Sequence, residues 1–333
     1  MTVTDERVSG FLARAAAAGA RQAAGAVREI TPLTGGTYNG LFTVELGDGE
    51  RLVLKVPPPA DLPRLSYEAE LLCGEALFYN AAADVGVPAP RVVHAEPAEG
   101  PGRDPYLLMT HLPGVPWWDV AEGMTEAEHA RLRTELGTLV ARLHTVTGPA
   151  FGYPAPSAGP GHATWAAAFG AMTGAVLDDA ERYGSWLPLP APGVRARLAA
   201  ASKVLDEVTV PALVHFDLWP GNVLLDGPAG ERAVSGLIDG ERMFWGDPLA
   251  DFASLSLFLG DAESDPAFLA GYRAGGGTAD LDAPALRRIA LYRCYLYLIM
   301  LAEVVPRGYD AERLAWLREY VGPRLEVALA AAG

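Results

Sequence analysis

The chain has 333 residues, of which half are hydrophobic and a fifth are charged, as in ordinary globular proteins. Its 26 basic and 41 acidic residues give a formal charge of −15 at pH 7. A surface this acidic repels nucleic-acid phosphates and disfavours a nucleic-acid partner, whereas it suits cationic small molecules.

The cysteine count and the apolar stretches indicate a cytoplasmic protein without a membrane partner. Cys73 and Cys294 are too few for a disulfide framework or a zinc site, and their apolar surroundings predict buried thiols. The first twenty residues lack the basic and aliphatic regions of a signal peptide and predict a helix. The longest apolar stretch, residues 291–305, contains Arg293 and is too short to span a bilayer, so it predicts a core helix.

The first part of the chain, over residues 28–56, has the pattern of three strands. The segments "REITPL", "LFTVEL" and "RLVLKV" alternate apolar and polar residues, and "GGTYNG" separates the first two. Asp48 and Gly49 lie between the second and third segments, where an Asp-Gly pair is a strong hairpin signal. A helix over 64–84 and strands in "RVVHAE" and "PYLLMTHL" follow.

The pattern changes at Pro113 and Gly114, after which helices dominate. They are predicted at roughly 125–145, 163–183 and 192–208, and from about 248 to the end, with a proline- and glycine-rich loop at 148–161. The sequence therefore predicts an α+β fold with two lobes. Residues 1–112 form a small N-lobe with an antiparallel sheet and one helix, and residues 113–333 form a large, mainly helical C-lobe. One hinge joins them, with room for a nucleotide between them.

Two features of the predicted N-lobe suit nucleotide phosphates. Gly35, Gly36 and Thr37 lie in a loop between two strands, where backbone N–H groups can approach phosphate oxygens, although an ordinary glycine-rich hairpin turn is the commoner explanation. Lys55 is one of only two lysines and lies in the centre of an apolar strand. It is either an edge-strand lysine with an exposed head group or a phosphate contact held by a helix carboxylate, for which Glu75 is the choice.

The segment "VHFDLWPGNVLLD", residues 214–226, contains the residues expected for the chemistry. Asp217 can accept the proton of an incoming hydroxyl, and Asn222 can reach back across a tight loop to bind Mg²⁺ through its amide oxygen. His215 is expected to brace the loop by hydrogen bonding. Trp219 is explained either by packing or by a wall of the acceptor site.

A second acidic segment, "GLIDGERMFWGDPLADFASL", completes the predicted site. An apolar strand ends at Asp239, where a further oxygen ligand for Mg²⁺ is needed. Asp247 and Asp251 follow near a helix start, and a helix cap explains either of them. Asp251 is also suited to accept backbone N–H groups of the 214–226 loop.

The ordered set of motifs resembles the aminoglycoside phosphotransferase family of the protein-kinase-like superfamily, which includes fructosamine and choline kinases. The resemblance rests on "HFDLWPGN", "IDGER" and "GDPLADFASL", preceded by "LTGGTYNG", "LVLK", "VPAPRV", "YLLMTHLPG" and "LVARLH". It extends over nearly the whole chain and implies a bilobal kinase-like fold. It also implies transfer of the γ-phosphoryl group of ATP, or of GTP, to a hydroxyl group.

The same resemblance assigns roles to individual residues. It makes Asp217 the catalytic base, Asn222 and Asp239 the Mg²⁺ ligands, and Lys55 a phosphate contact paired with a helix glutamate. Backbone groups near two hinge residues, Met109 and His111, would bind adenine.

The chain departs from the family pattern at two positions. Phe216 stands where the family usually has glycine, and Gly240 stands where it usually has an aromatic residue. Neither change removes a ligand, and together they suggest an unusual pocket shape. The arginine that protein kinases carry before the catalytic aspartate is absent, which argues against a protein kinase.

The acceptor is expected to be an aminoglycoside-like or other cationic small molecule. Asp178 and Glu181 share a face of the helix predicted near 164–184, and with Glu241 they would bind ammonium groups; a solvated acidic helix end is the alternative explanation. A ketosamine or amino sugar is the alternative acceptor, because fructosamine kinases share the "DLW-x-GN" form. A catalytically silent nucleotide-binding scaffold is a third interpretation, disfavoured because the base, the metal ligands and Lys55 are all present. Resistance, self-protection of a producer and ordinary metabolism stay open as roles.

Overall fold

The computed structural model describes residues 5–33, 38–97, 104–258 and 260–333. Its strands are β1 (Val27–Pro32), β2 (Gly40–Leu46), β3 (Arg51–Val56), β4 (Val92–Glu96), β5 (Tyr106–Thr110), β6 (Val115–Pro116), β7 (Ala212–Val214), β8 (Val223–Asp226), β9 (Ala233–Leu237) and β10 (Phe244–Gly246). Its α-helices are α1 (Asp5–Ala17), α2 (Leu71–Asp84), α3 (Trp117–Val120), α4 (Glu126–Leu143), α5 (Trp165–Tyr183), α6 (Ala191–Ala201), α7 (Asp251–Leu255), α8 (Pro266–Ala274), α9 (Ala283–Ala302) and α10 (Ala311–Ala332).

The first five strands form one antiparallel sheet in the order β1-β2-β3-β5-β4. The predicted hairpin between β2 and β3 is confirmed, because Glu50 donates its backbone N–H to Asp48 Oδ1 and Gly49 has a left-handed φ of 89°. In β3, Leu54 faces one side of the sheet, where it joins a buried cluster with Phe11 of α1. Because side chains alternate along a strand, Lys55 faces the other side, toward α2.

In the second part of the chain, α9 packs against α5, α7 and α10, while α4 packs against α8. The predicted core helix at 291–305 is confirmed, since α9 ends at Ala302 and Cys294 within it is fully buried. Cys73 is only partly buried, so the prediction of a buried thiol is wrong for that residue. Among the described residues, no helix is both long and apolar enough to cross a membrane.

The helix predicted over 64–84 begins later than the sequence suggests. Residues Ser66–Glu70 form a 3₁₀ helix, and α2 starts only at Leu71. The reason is tertiary, because Asp179 on α5 accepts the backbone N–H of Ser66 at 2.5 Å and Glu68 pairs with Arg307 at 2.6 Å. The helix predicted at 192–208 also ends as a 3₁₀ run, Ser202–Glu207.

Two small sheets position the segments that carry the predicted chemistry. β7 pairs with β10, and β8 pairs with both β6 and β9. The loop 215–222 therefore runs from the end of β7 to the start of β8, while β9 leads directly into Ile238 and Asp239. The expected α+β class, with a small antiparallel sheet and a larger helical part, is confirmed. A boundary between residues 112 and 113 stays a prediction.

Candidate active site

The loop 215–222 is held by the start of α7. Asp251 is fully buried, and its two carboxylate oxygens accept the backbone N–H groups of His215 at 3.2 Å and Phe216 at 2.7 Å. Ser254 Oγ accepts the backbone N–H of Leu218 at 3.0 Å. Charge-assisted bonds to a buried carboxylate are among the stronger protein hydrogen bonds, so the backbone of this loop is fixed by α7.

His215 links the same loop to the end of β9. The backbone N–H of Asp217 donates to His215 Nδ1 at 3.2 Å, and His215 Nε2 lies 3.0 Å from the carbonyl oxygen of Ile238. Burial lowers the pKa of His215, which favours the neutral imidazole. We assign the proton to Nε2, since that tautomer satisfies both bonds. The imidazole thereby links the backbone of Asp217 to that of Ile238, the residue before Asp239.

Phe216 adopts a backbone conformation that suits glycine, the residue the related family usually has there. Its φ is +63°, which costs a side-chain-bearing residue about 1–2 kcal/mol. Its ring is fully buried and packs on Phe244 and Tyr295, with centroids 5.0 and 5.3 Å away. The ring lies in the hydrophobic core, so the expectation that Phe216 reshapes the pocket is not met.

Gly240 leaves room for a side chain from another element. A Cβ at this position would lie 2.4 Å from Cδ1 of Phe78 on α2, which real Cβ atoms do not do. The Phe78 ring in turn packs edge-on against His215, with centroids 4.8 Å apart. Phe78 therefore occupies the space that a side chain at position 240 would need.

Lys55 lies at the centre of three carboxylates. Its Nζ is 2.6 Å from Asp239 Oδ1, 2.7 Å from Glu241 Oε2 and 2.8 Å from Glu75 Oε2. Burial alone would lower the pKa of Lys55, but the three carboxylates outweigh it and hold that pKa well above its usual value. The same ammonium lowers the pKa of Asp239, against the effect of burial. The ammonium is therefore permanently charged, as a phosphate contact requires.

Glu75 completes this charged cluster from α2. Tyr79, one helical turn later, donates its hydroxyl to Glu75 Oε1 at 2.7 Å and accepts the backbone N–H of Asp239 at 3.0 Å. Burial raises the pKa of Glu75 to about 7, because Lys55 offsets only part of the cost of desolvation. Tyr79 was missed from the sequence, although its i+4 spacing from Glu75 was the available signal.

Glu241 lies elsewhere than the sequence interpretation expects. It was assigned to the acceptor, but it is buried, with 7% of its surface exposed, and bonds to Lys55 and to Asn39 Nδ2 at 2.6 Å. Both contacts are made to Oε2 of the carboxylate, which places Glu241 on the Lys55 side of the site. Asn39 is a further residue that the sequence did not single out.

Asp217 has one oxygen close to a buried guanidinium. Its side chain is 16% exposed, and burial raises its pKa to about 6. Arg242 Nε, 3.9 Å from Asp217 Oδ2, opposes that rise, while the negative charges of Asp239 and Glu241 add to it. Arg242 is itself held by Glu303 at 3.1 Å. Arg242 could not be singled out from the sequence, because its partners Asp217 and Glu303 are distant along the chain.

The donor set at the end of β9 fits Mg²⁺. The side-chain N–H of Asn222 donates to the backbone carbonyl oxygen of Asp217 at 2.8 Å. The amide oxygen of Asn222 is then the atom that can bind a cation. Asp239 uses Oδ1 for Lys55, and its side chain is 40% exposed, which leaves Oδ2 accessible. Carboxylate and amide oxygens are ligands that Mg²⁺ accepts. Asp239 also has a φ of +62°, a strained backbone of the kind found at functional sites.

Several predicted binding residues lie apart from this site or outside the described residues. Met109 lies within the sheet, paired with both β3 and β4, and the backbone N–H of His111 donates to Arg51 O at 3.1 Å. That N–H is therefore committed to the sheet, and binding of adenine by other backbone groups near Met109 and His111 stays a prediction. Gly35, Gly36 and Thr37 lie outside the described residues.

The acidic pair proposed for the acceptor is on the surface of α5. Asp178 is 71% exposed and pairs with Arg195 at 2.6 Å, and Glu181 is exposed. Between them, Asp179 is buried and accepts hydrogen bonds from Ser66. Asp179 therefore anchors the segment before α2. The alternative of a solvated acidic helix end describes the exposed Asp178 and Glu181 better.

Comparison with known proteins assigns this arrangement to a family. The sequence profile of the phosphotransferase enzyme family (APH) matches residues 29–292. Viomycin phosphotransferase from Streptomyces vinaceus is 27% identical over 252 residues, which are 74% of this chain and 83% of that protein.

Solved structures share the fold over nearly the whole chain. A candidate fructosamine-3-kinase from Thermobifida fusca aligns with a TM-score of 0.65 at 22% identity and covers 97% of this chain and 99% of its own. The ternary complex of APH(2")-IIa with streptomycin and ATP aligns with a TM-score of 0.60 at 18% identity, covering 98% of this chain and 99% of the other. The kinase-like α+β fold expected from the sequence is thus confirmed.

Proposed function

The chain belongs to the phosphotransferase enzyme family, and we propose that it uses ATP to phosphorylate a hydroxyl group of a small molecule. One observation carries the proposal. Lys55 of the sheet contacts Asp239 at the end of β9, and His215 ties Asp239's strand to the backbone of Asp217. A cation suited to bind phosphate, Lys55, and a buried carboxylate suited to act as a base, Asp217, are thereby held in fixed positions relative to each other, as phosphoryl transfer requires.

Asp217 would act on the acceptor. Its ionised carboxylate accepts the hydroxyl proton as the acceptor oxygen forms a bond to the γ-phosphorus and the bond from that phosphorus to ADP breaks. A positioned base contributes roughly 10²–10⁴ in rate. Because its pKa is raised to about 6, Asp217 is both ionised and appreciably basic at neutral pH. The side-chain N–H of Asn222 holds the backbone carbonyl of Asp217 by a hydrogen bond.

The other half of the site would bind the nucleotide. Lys55 contacts the phosphates, and Glu75 and Tyr79 hold the lysine against Asp239. Asp239 and Asn222 would hold Mg²⁺, which when bound neutralises phosphate charge during transfer. The solved complex of APH(2")-IIa with ATP, which shares the fold, supports ATP as the donor.

For the acceptor, we propose an aminoglycoside-like or other cationic small molecule. The net charge of −15 and the similarity to viomycin phosphotransferase support this class. A ketosamine or amino sugar is the second candidate, favoured by Trp219 in the "DLW-x-GN" segment. A silent scaffold is disfavoured, because Lys55, Asp217, Asn222 and Asp239 are all present and in one frame.

The test is transfer to an acceptor panel with ADP detection. Viomycin, streptomycin, gentamicin and a ketosamine are offered with ATP and MgCl₂, and ADP formation should depend on both the acceptor and Mg²⁺. Asp217→Asn should lower kcat by roughly 10²–10⁴ while ATP still raises the melting temperature. It should not destabilise the protein at pH 7, because the pKa of Asp217 is raised on folding to about 6. Ionising this carboxylate therefore lowers the stability progressively between about pH 4 and about pH 6, and the loss is fully present at pH 7.

Asp226→Asn is the matched control, since Asp226 is an exposed aspartate in the same segment. Its kcat should be unchanged. Full turnover by Asp217→Asn would refute the assignment of the base. ATP binding without transfer to any alcohol would favour the scaffold.

A further inference from the structure

Five aromatic side chains form a continuous surface that begins at the catalytic loop; we call it the aromatic wall. Its members are Trp118, Trp219, Phe258, Trp316 and Tyr320. Trp219 and Phe258 have ring centroids 6.0 Å apart, and Trp118 lies 6.0 Å from Trp219 and 5.2 Å from Phe258. Phe258 stacks on Tyr320 at 5.8 Å, and Tyr320 on Trp316 at 4.9 Å. Four separate segments of the chain, including α3 and α10, contribute these rings.

The wall is open to solvent where it is nearest the catalytic loop. Trp118 is 50% exposed and Phe258 is 38% exposed, and Trp219 between them is partly exposed. Single exposed apolar residues need no explanation, but a contiguous apolar patch on a monomer marks an interaction site. Phe258 also has a φ of +70°, so the chain accepts backbone strain at a residue whose ring is only partly buried.

Trp219 connects the wall to the proposed base. It lies two residues after Asp217, and a Cβ on Gly221 would be 2.2 Å from its indole ring. Glycine at 221 therefore lets the indole lie flat against its own loop. The loop is in turn held by Asp251, so the backbone that carries the indole is fixed two residues after Asp217.

The geometry of the wall selects the kind of ligand. A cage for an ammonium ion needs rings that stand apart with the cation between them. Here the rings are within 5–6 Å of one another and fill that space themselves. The two outer rings already have guanidinium groups over them, with Arg313 4.5 Å from Trp316 and Arg324 3.6 Å from Tyr320. Trp118, Trp219 and Phe258 are inclined to one another by 58–66°, so the wall presents ring faces in different orientations. The half-exposed indole of Trp118 is the one that offers most apolar surface to the face of a ligand ring.

We propose that the aromatic wall binds the acceptor, and that the acceptor is a ring-bearing alcohol, such as a sugar, whose ring face packs on Trp118 beside Trp219. Its hydroxyl then reaches Asp217. This inference rests on the proposed phosphotransferase function and narrows its acceptor. It replaces the acidic face of α5, where Asp178 is paired with Arg195, as the acceptor surface.

The first experiment separates ring recognition from charge recognition. The full chain is assayed with saturating ATP and MgCl₂ on three ring-bearing compounds, gentamicin, streptomycin and 1-deoxy-1-morpholino-D-fructose. Choline and L-homoserine serve as acceptors that keep a cationic nitrogen and a hydroxyl but lack a ring. Turnover of at least one ring-bearing compound, and none of choline or homoserine, is expected.

The second experiment assigns the effect to the wall. Trp118→Ala should raise KM for the ring-bearing acceptor roughly threefold to tenfold, more than it changes KM for ATP, because one aromatic contact is lost. Trp118→Phe should give an intermediate KM. Leu286→Ala removes a side chain that is 44% exposed on α9, outside the wall, and should change nothing.

The outcomes distinguish the two proposals. Turnover of choline as efficient as that of the sugars, or an unchanged acceptor KM in Trp118→Ala, would overturn the wall as the acceptor site. ATP hydrolysis that depends on Asp217 but no transfer to any ring-bearing compound would also count against the wall alone. The absence of any Asp217-dependent consumption of ATP would instead overturn the proposed function.

Discussion

Lys55 is 3% exposed and contacts three carboxylates, whereas Trp118 in the aromatic wall is 50% exposed and packs on other rings. The two regions flank the same catalytic loop. On the charged side, each carboxylate around Lys55 has a defined partner at hydrogen-bond distance. On the aromatic side, contacts are made ring against ring, without fixed directions.

The difference follows from the cost of burial. A buried charge without a partner is expensive, so the charged side requires particular residue types at particular positions. Aromatic packing is less directional, so many arrangements of rings give a usable surface. The charged side is therefore the part that shares motifs with the family, and the wall is the part that can differ from one acceptor to another.

The largest effect is expected from Lys55→Met, which removes the shared cation of the charged side. Three carboxylates would then face one another without it, and breaking a buried ion pair in this way costs about 3–5 kcal/mol. The free energy of unfolding, measured by urea denaturation at pH 7, should fall by that amount, and transfer should be lost. Lys203→Met is the matched control, because the other lysine is exposed. An unchanged stability of Lys55→Met would mean that the cluster is solvated.

A smaller effect is expected from Phe216→Gly, which separates backbone strain from ring burial. Removing a fully buried ring costs about 3–5 kcal/mol, and relief of the positive φ returns about 1–2 kcal/mol. The net loss in the free energy of unfolding should be roughly 2 kcal/mol.

Phe258→Gly is the matched comparison on the aromatic side. Phe258 has the same left-handed backbone with a φ of +70°, but its ring is 38% exposed. Its substitution should leave the stability close to that of the wild type while raising KM for the acceptor. Equal destabilisation by the two changes would show that burial does not distinguish the two regions.

The smallest expected effect is a shift in pH dependence at the boundary of the two regions. Asp217 must be ionised to accept a proton, and its pKa is raised to about 6, so kcat/KM should fall as the pH drops below about 6. Arg242→Gln removes a positive charge 3.9 Å from this carboxylate and should move the midpoint upward by about one pH unit.

Arg293→Gln is the control for this prediction, because Arg293 pairs with Asp261 and Glu263 outside the site. Its pH profile should match that of the wild type. A midpoint that stays in place in Arg242→Gln would show that Arg242 does not influence the base.

The sequence alone was enough to predict the five strands of the first sheet, most of the helices, and Lys55, Glu75 and Asp239 of the charged side. The Asp48-Gly49 hairpin follows from local turn chemistry, and the position of Lys55 follows from side-chain alternation along β3. These signals are short-range, so they can be recognised without knowing how distant segments meet.

Tertiary structure alone decided the remaining features. The late start of α2 depends on contacts of the preceding segment with Asp179 and Arg307. The pKa of Asp217 depends on the nearby Arg242. Glu241 contacts Lys55, which lies far from it along the chain. The aromatic wall draws its rings from four separate segments, and no spacing in the sequence relates them. Local patterns set which way each side chain leaves its own strand or helix, but only the packing of those elements sets which side chains meet.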